Sequence, residues 1–299
     1  MRVFVTGATG FIGTAVVREL QASGHQVVGL ARNEAAADAL ATVGAEAHRG
    51  ELSNIDSLVA GARAADGVIH LGFVHDFAKY DAAIETDRRA IAALSGALEG
   101  SSKPLVVTFG TLGVAHDRTA TEDDPPLPPD RGGNPRGASE ALVLSAAERG
   151  VRASIVRLAP SVHGAGDHGF VPTLINIARE KGFAAHVNDG SNRWPAVHRL
   201  DAARLFRLAL EKAEPGARLH AVAEQGVPMR SIAETIAEGL GLPIRSLTAD
   251  EAPAHFGWMA AFVGLDAPAS NALTRERTGW TPQQPDLLVD IRASSYFAS

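Results

Sequence analysis

The 299-residue chain has no cysteine, which excludes disulfides, thiolate metal centres and a cysteine nucleophile. Basic residues are in the minority, 28 against 34 acidic for a net charge of −6, and they form no block. A nucleic-acid surface needs clustered cations to neutralise phosphates, so that class of partner is set aside. No apolar run approaches the roughly 20 residues that span a bilayer. The first residues enter a strand without the charged region and apolar stretch of a signal peptide, so the expected location is the cytoplasm, away from membranes. Aromatic residues make up only 5%, and just two are tyrosines, Tyr80 and Tyr296. What is present is an ordinary globular mixture, 45% hydrophobic and 21% charged. It is large enough for one substantial core, or for a large unit with a smaller one.

Strand and helix patterns alternate through the first half. The β-branched and aromatic run Arg2–Thr6 reads as a buried strand, and Phe11–Ala22 carries apolar residues at helical spacing up to Ser23-Gly24. Further strands are expected at 26–30, 45–48, 67–71, 105–108 and 151–157, with helices at 34–43, 55–62, 81–99 and 139–149 between them. Such alternation predicts parallel strands with crossover helices, an α/β doubly wound sheet. The proline-rich, acidic stretch 121–135 interrupts it as an exposed loop. Beyond Pro160 the texture changes to glycine-rich turns and separate helices at 171–179, 200–212 and 229–239, with a packed helix expected at 256–263. The expected organisation is a nucleotide-binding unit at 1–163, to which 196–215 returns, and a smaller, mostly helical substrate lobe from 164–195 and 216–299.

Between the first strand and first helix lies Gly7-x-x-Gly10-x-x-Gly13. In that context the first glycine permits a tight turn and the second lets backbone N–H groups approach a pyrophosphate. The third allows close helix–strand packing, and the helix N-terminus favours the anion. This predicts a dinucleotide site. NAD sites place an acid at the end of the second strand to hold the ribose 2′-hydroxyl. Here that end reads Leu30-Ala31-Arg32-Asn33. The acid is missing, and the planar fork of Arg32 suits a 2′-phosphate. NADP(H) is therefore expected rather than NAD.

The glycine spacing resembles the short-chain dehydrogenase/reductase superfamily, and more segments are similar to its extended, epimerase/dehydratase-like branch. Gly50-Glu51-Leu52 resembles the segment that contacts adenine, and Val68-Ile69-His70-Leu71-Gly72 the fourth strand beside the adenosine. Val106-Val107-Thr108-Phe109-Gly110-Thr111 is similar to the strand end that carries a catalytic Ser or Thr. Glu122-Asp123-Asp124-Pro125, 157–164 and 194–203 are similar to later segments of the branch. The resemblance implies a Rossmann-type fold and a small organic substrate, with a homodimer as a further expectation. It also implies cofactor contacts at Gly7, Thr9, Gly10, Phe11, Ile12, Gly13, Arg32, Glu51, Leu52, Leu71, Gly72, Phe73, Thr108, Arg136, Pro160 and Val162.

The chain departs from the branch where chemistry is expected. The Tyr-x-x-x-Lys pair falls on Gly132 and Arg136. Arg136 can hold a ribose and supply charge, but it cannot act as a base. Candidates for the remaining roles are Thr111 to bind a carbonyl, and His163 or Tyr80 to move a proton. His168 and the pair His116-Asp117 belong to loops expected at the same cleft, but loop histidines without regular ligand spacing predict no metal site. Phe170, Phe183, Trp194, Phe256 and Trp258 are available as pocket walls. Two readings of function stay open. One is an NADP(H)-dependent carbonyl reductase or dehydrogenase, with nucleotide-sugar epimerase or dehydratase as a variant. The other is a non-catalytic NADP(H) sensor.

Overall fold

The computed structural model describes residues 1–75, 79–116, 118–293 and 295–297, with only the backbone of Ser295. The first half forms β1 (Arg2–Thr6), α1 (Phe11–Ala22), β2 (Gln26–Ala31), α2 (Glu34–Thr42), β3 (Glu46–Arg49), α3 (Ile55–Arg63), β4 (Gly67–His70), α4 (Tyr80–Leu98), β5 (Pro104–Gly110), α5 (Glu140–Glu148) and β6 (Arg152–Leu158). Then come β7 (Ser161–His163), α6 (Phe170–Lys181), β8 (Ala184–Val187), β9 (Arg193–His198), α7 (Arg199–Lys212), β10 (Arg218–Ala221) and β11 (Glu224–Pro228). The chain ends with α8 (Met229–Leu240), β12 (Ile244–Leu247), α9 (Ala252–Phe256), α10 (Ala260–Val263), α11 (Ala272–Thr278) and α12 (Leu287–Ala293).

Seven strands form one parallel sheet in the order β10-β6-β5-β4-β1-β2-β3. Strands buried on both faces carry continuous apolar runs, as Val3–Val5 and Leu105–Val107 do with no exposure. Val16 and Leu20 of α1 pack with Phe206 of α7 on one face. Leu58 of α3, Ile91 and Leu94 of α4 and Val143 of α5 pack on the other. The strand order reverses between β1 and β4. Crossovers then leave in opposite directions, and a crevice opens beyond the strands' C-terminal ends.

The second half is less purely helical than its glycine-rich texture suggests. It adds a three-stranded sheet, β11-β9-β7, and a two-stranded one, β12-β8. Helices α6, α8, α9 and α12 close over these around Trp194, Ile232, Phe256 and Leu287. The chain's return to the main sheet runs past 215. β10 pairs with β6, and Leu219, Val222 and Trp280 all enter the main core. The apolar stretch 256–263 is not one helix. Gly257 adopts φ +55°, a short 3₁₀ turn follows, and α9 and α10 remain separate. Among the described residues no helix is long and apolar enough to cross a membrane.

A buried ion pair ties α5 to β6. Arg157, fully buried, donates to both Glu140 oxygens at 2.7–2.8 Å and to the Asp124 carbonyl at 2.9 Å, which anchors the acidic loop. Its other side meets His220, whose imidazole burial and then the Arg157 charge push down to about 3. His220 is therefore neutral, accepting from Arg157 at Nε2 (3.3 Å) and donating from Nδ1 to the Ser270 carbonyl (2.9 Å). Removing one partner of a buried pair strands the other's charge. Arg157→Leu leaves Glu140 with only Arg218 at 3.3 Å, so a loss of about 3 kcal/mol is expected in urea unfolding. A change below about 0.5 kcal/mol contradicts this account of the pair.

Candidate active site

The turn after β1 is built without side chains. Gly7 takes φ +68°, and a Cβ there would stand 2.8 Å from the Gly72 nitrogen at the exit of β4. A Cβ on Gly13 would stand 2.0 Å from the Gly7 carbonyl oxygen, so α1 seats directly on the turn. α1 has no side-chain cap. Its first N–H groups thus lack partners within the helix and are available to an anion. The turn forms one wall of a cleft of about 1030 Å³ at the reversal of strand order.

The cleft gathers most of the residues expected from sequence. Gly7, Thr9, Gly10, Phe11, Ile12, Gly13, Arg32, Glu51, Leu52, Leu71, Gly72, Phe73, Thr108, Arg136 and Pro160 line it, as do Thr111, Tyr80 and His168. Val162 is not part of the lining. Nor is His163: its buried Nδ1 faces Asp290 of α12 at 2.8 Å, and its ring stands edge-on to His198 at 5.3 Å. Alternation on β7 explains this placement. Val162 packs on the main core, while His163, one residue on, turns to the opposite face. Among the described residues no cluster of His, Asp and Glu is arranged to hold a metal, and Asp117 of the His116-Asp117 pair lies outside them.

Arg32 follows the last residue of β2, is exposed, and makes no ion pair or hydrogen bond among the described residues. The nearest acid in sequence beyond it, Glu34, is engaged by Arg49 at 2.5 Å. At the end of β5 and just beyond it, Thr108 and Thr111 line the cleft, and among the described residues their buried hydroxyls have no hydrogen-bond partner. A buried hydroxyl left unsatisfied is costly.

Sequence reasoning missed the charge network beneath this wall. Asp87, on α4 and 1% exposed, accepts two hydrogen bonds from Arg136, at 2.9 and 3.1 Å. His70 Nε2 also lies 3.2 Å from Asp87, and His70 Nδ1 lies 2.7 Å from the Thr6 hydroxyl. That hydroxyl accepts from the Gly72 N–H at 3.1 Å. The pattern fits a histidine protonated at Nε2, with Thr6 donating to Nδ1. Burial pushes the Asp87 carboxyl up, but the His70 hydrogen bond and the Arg136 charge outweigh it and hold it below the ordinary value. The guanidinium of Arg136 lies over the rings of Phe73 and Phe109, at 4.3 and 5.0 Å. Its backbone N–H and the Tyr80 hydroxyl both donate to Asn134 Oδ1, at 2.9 and 3.0 Å. The sequence did hold a signal: Asp87 interrupts the buried face Ala83, Ile84, Ala90, Ile91, Leu94 of α4. A lone carboxylate on such a stripe needs a cation.

His75 also lines the cleft, where burial and then the nearby Arg136 charge push its imidazole below the usual value. At neutral pH it is uncharged.

Comparison with known proteins follows the same lines. Residues 3–222 match the model of the NAD dependent epimerase/dehydratase family. The chain is 46% identical to an uncharacterized protein of Schizosaccharomyces pombe over 99% of this chain and 100% of that one. It is 30% identical to a 2-alkyl-3-oxoalkanoate reductase of Stenotrophomonas maltophilia, over 81% of this chain and 77% of that protein. Among solved structures, MoeE5 in complex with UDP-glucose and NAD superposes with a TM-score of 0.78 at 23% identity, covering 100% of this chain and 98% of that one.

The Asp87 pair has a pH signature. A carboxyl held below its ordinary 3.8 in the folded state stabilises the fold above that pH, and the contribution is lost as pH falls through the folded value. Asp87→Asn is expected to cost about 2 kcal/mol at pH 7. The gap from the unsubstituted protein should close as pH drops below about 4. Urea unfolding of both proteins across pH 3–7 measures it, and a gap independent of pH contradicts it.

Proposed function

Because the chain belongs to the NAD-dependent epimerase/dehydratase family, we propose that it is an NADP(H)-dependent reductase of a carbonyl group on a small organic molecule. The observation that carries the cofactor choice is Arg32, without a partner among the described residues, at the end of β2 where an NAD site would place an acid. The glycine turn and the uncapped start of α1 suit the pyrophosphate. The likeness to the 2-alkyl-3-oxoalkanoate reductase supports a ketone as the reacting group. In this reading the smaller unit around Trp194 and Leu287 forms the substrate lobe.

NADPH, when bound, supplies hydride to the carbonyl carbon, and one proton reaches the oxygen, giving the alcohol and NADP+. The chain's own groups position that oxygen and move that proton. Thr111 donates its otherwise unsatisfied hydroxyl to the carbonyl oxygen, with Thr108 beside it on the same wall. Tyr80, whose hydroxyl bonds Asn134, supplies the proton from the start of α4 instead of from the Tyr-x-x-x-Lys position. His75 is a weaker donor because burial and Arg136 keep it neutral. Arg136, fixed by Asp87, contributes charge and shape but no proton. His163 has no part in this step, since its ring faces Asp290 outside the cleft.

The purified protein should oxidise NADPH with at least one member of a panel of ketones, quinones and enones. Thr111→Val and Tyr80→Phe should each lower kcat by about 100-fold with little change in NADPH affinity. Tight NADPH binding with the entire panel inert overturns the reductase reading and leaves a dinucleotide sensor. Unchanged kcat in Tyr80→Phe removes Tyr80 from proton transfer.

A further inference from the structure

Beyond the cofactor, the cleft has the chemistry of an apolar pocket. Five aromatic residues stood as possible walls, and the fold sorts them. Phe183 and Phe256 stack on His255 within the lobe, at 4.5 and 4.6 Å. Trp194 is fully buried under Phe170, with ring centroids 5.2 Å apart. Phe170 itself, the first residue of α6, lines the cleft. Around it stand Phe262 at 5.8 Å and Trp258 at 6.2 Å, and Trp258 is 54% exposed. Phe170 is thus the member of this aromatic cluster that lines the cleft, and Trp258 is its exposed member.

The cationic side chains point to the same conclusion. A nucleotide-sugar substrate brings a second diphosphate, which needs cations or free N–H groups of its own. Among the described residues the cleft lining contains two arginines and no lysine. Arg32 stands at the end of β2, on the far side of the strand reversal from β5 and its threonines. Arg136 is paired with Asp87 through Nε and Nη2 and lies over Phe73 and Phe109. Arg199 lies over the Phe11 ring at 5.1 Å, beside the glycine turn and therefore next to the first pyrophosphate. Among the described residues of the lining, that leaves no unengaged arginine or lysine on the β5 side for a second.

We propose that the substrate is an uncharged ketone with an aromatic or extended apolar group that packs on Phe170 and extends toward Trp258. Resting on the reductase reading above, this places the carbonyl oxygen at Thr111 and the apolar group toward the lobe. Aromatic faces recognise such a group by offset or edge contact as well as by area removed from water.

Trp258 provides the readout, because Trp194 and Trp280 are fully buried and Trp258 alone of the three is exposed. Protein is first titrated with NADP+ by calorimetry, then the NADP+-saturated form with acetophenone or UDP-glucose, following tryptophan emission and heat. Acetophenone should bind saturably and perturb an emission signal that Trp258→Phe removes, whereas UDP-glucose should leave both readouts flat. Phe170→Ala should weaken acetophenone by about tenfold or more with NADP+ affinity unchanged, and Phe170→Leu by less. The unaltered NADP+ titration and thermal melt certify that these variants fold. Saturable UDP-glucose binding, an absence of acetophenone binding, or acetophenone affinity indifferent to Phe170 overturns the proposal. Failure of the reductase reading is seen separately, as no dinucleotide binding in the first titration or no NADPH oxidation with any carbonyl compound.

Discussion

The close approach of three backbone segments at the end of β1 organises this molecule. The Gly7 turn touches the exit of β4 at Gly72, and α1 sits on the Gly7 carbonyl at Gly13. No side chain fits between them. The same closeness leaves the first N–H groups of α1 open to an anion and sets the floor of the cleft at the reversal of strand order. From this junction a chain of buried polar contacts runs through Thr6, His70 and Asp87 to Arg136. The glycine turn and the cleft wall at Arg136 are therefore joined by a continuous run of hydrogen bonds.

Arg136 shows how such a network decides what a residue can do. A guanidinium free in the cleft would grip a ribose or an anionic substrate. Here two hydrogen bonds to a buried carboxylate and two aromatic faces hold it in place, so its charge is largely spent within the protein. Beside it that wall carries the hydroxyls of Thr108 and Thr111, Tyr80, and His75, whose imidazole burial and then the Arg136 charge push below the usual value. A wall of that kind, continued by Phe170, favours an uncharged carbonyl compound over a phosphorylated one.

The first half of the fold was legible in the sequence because its strands, even the four-residue β3 and β4, alternate regularly with amphipathic helices and are punctuated by glycine. The glycine turn, Arg32 and Thr111 followed from their positions relative to those elements. The second half was harder to read for physical reasons. β10 and β12 have four residues each: β10 alternates Arg218, Leu219, His220, Ala221 over only two periods, and β12, Ile244-Arg245-Ser246-Leu247, does not alternate at all. Gly257 splits an apolar stretch that looks like one helix. His163 depends on strand parity, which a three-residue strand cannot announce. The Asp87 network joins residues from β1, β4, α4 and the segment before α5, a meeting that only the assembled sheet brings about.

The central claim is that this junction, with Arg32 at its edge, is an NADP(H) site. Isothermal titration of the unmodified protein with NADPH and with NADH, at the same moderate salt concentration, tests it most directly. The account predicts NADPH binding tighter by about tenfold or more, the worth of a charge-assisted fork on the 2′-phosphate. Equal affinities, or tighter binding of NADH, would contradict it.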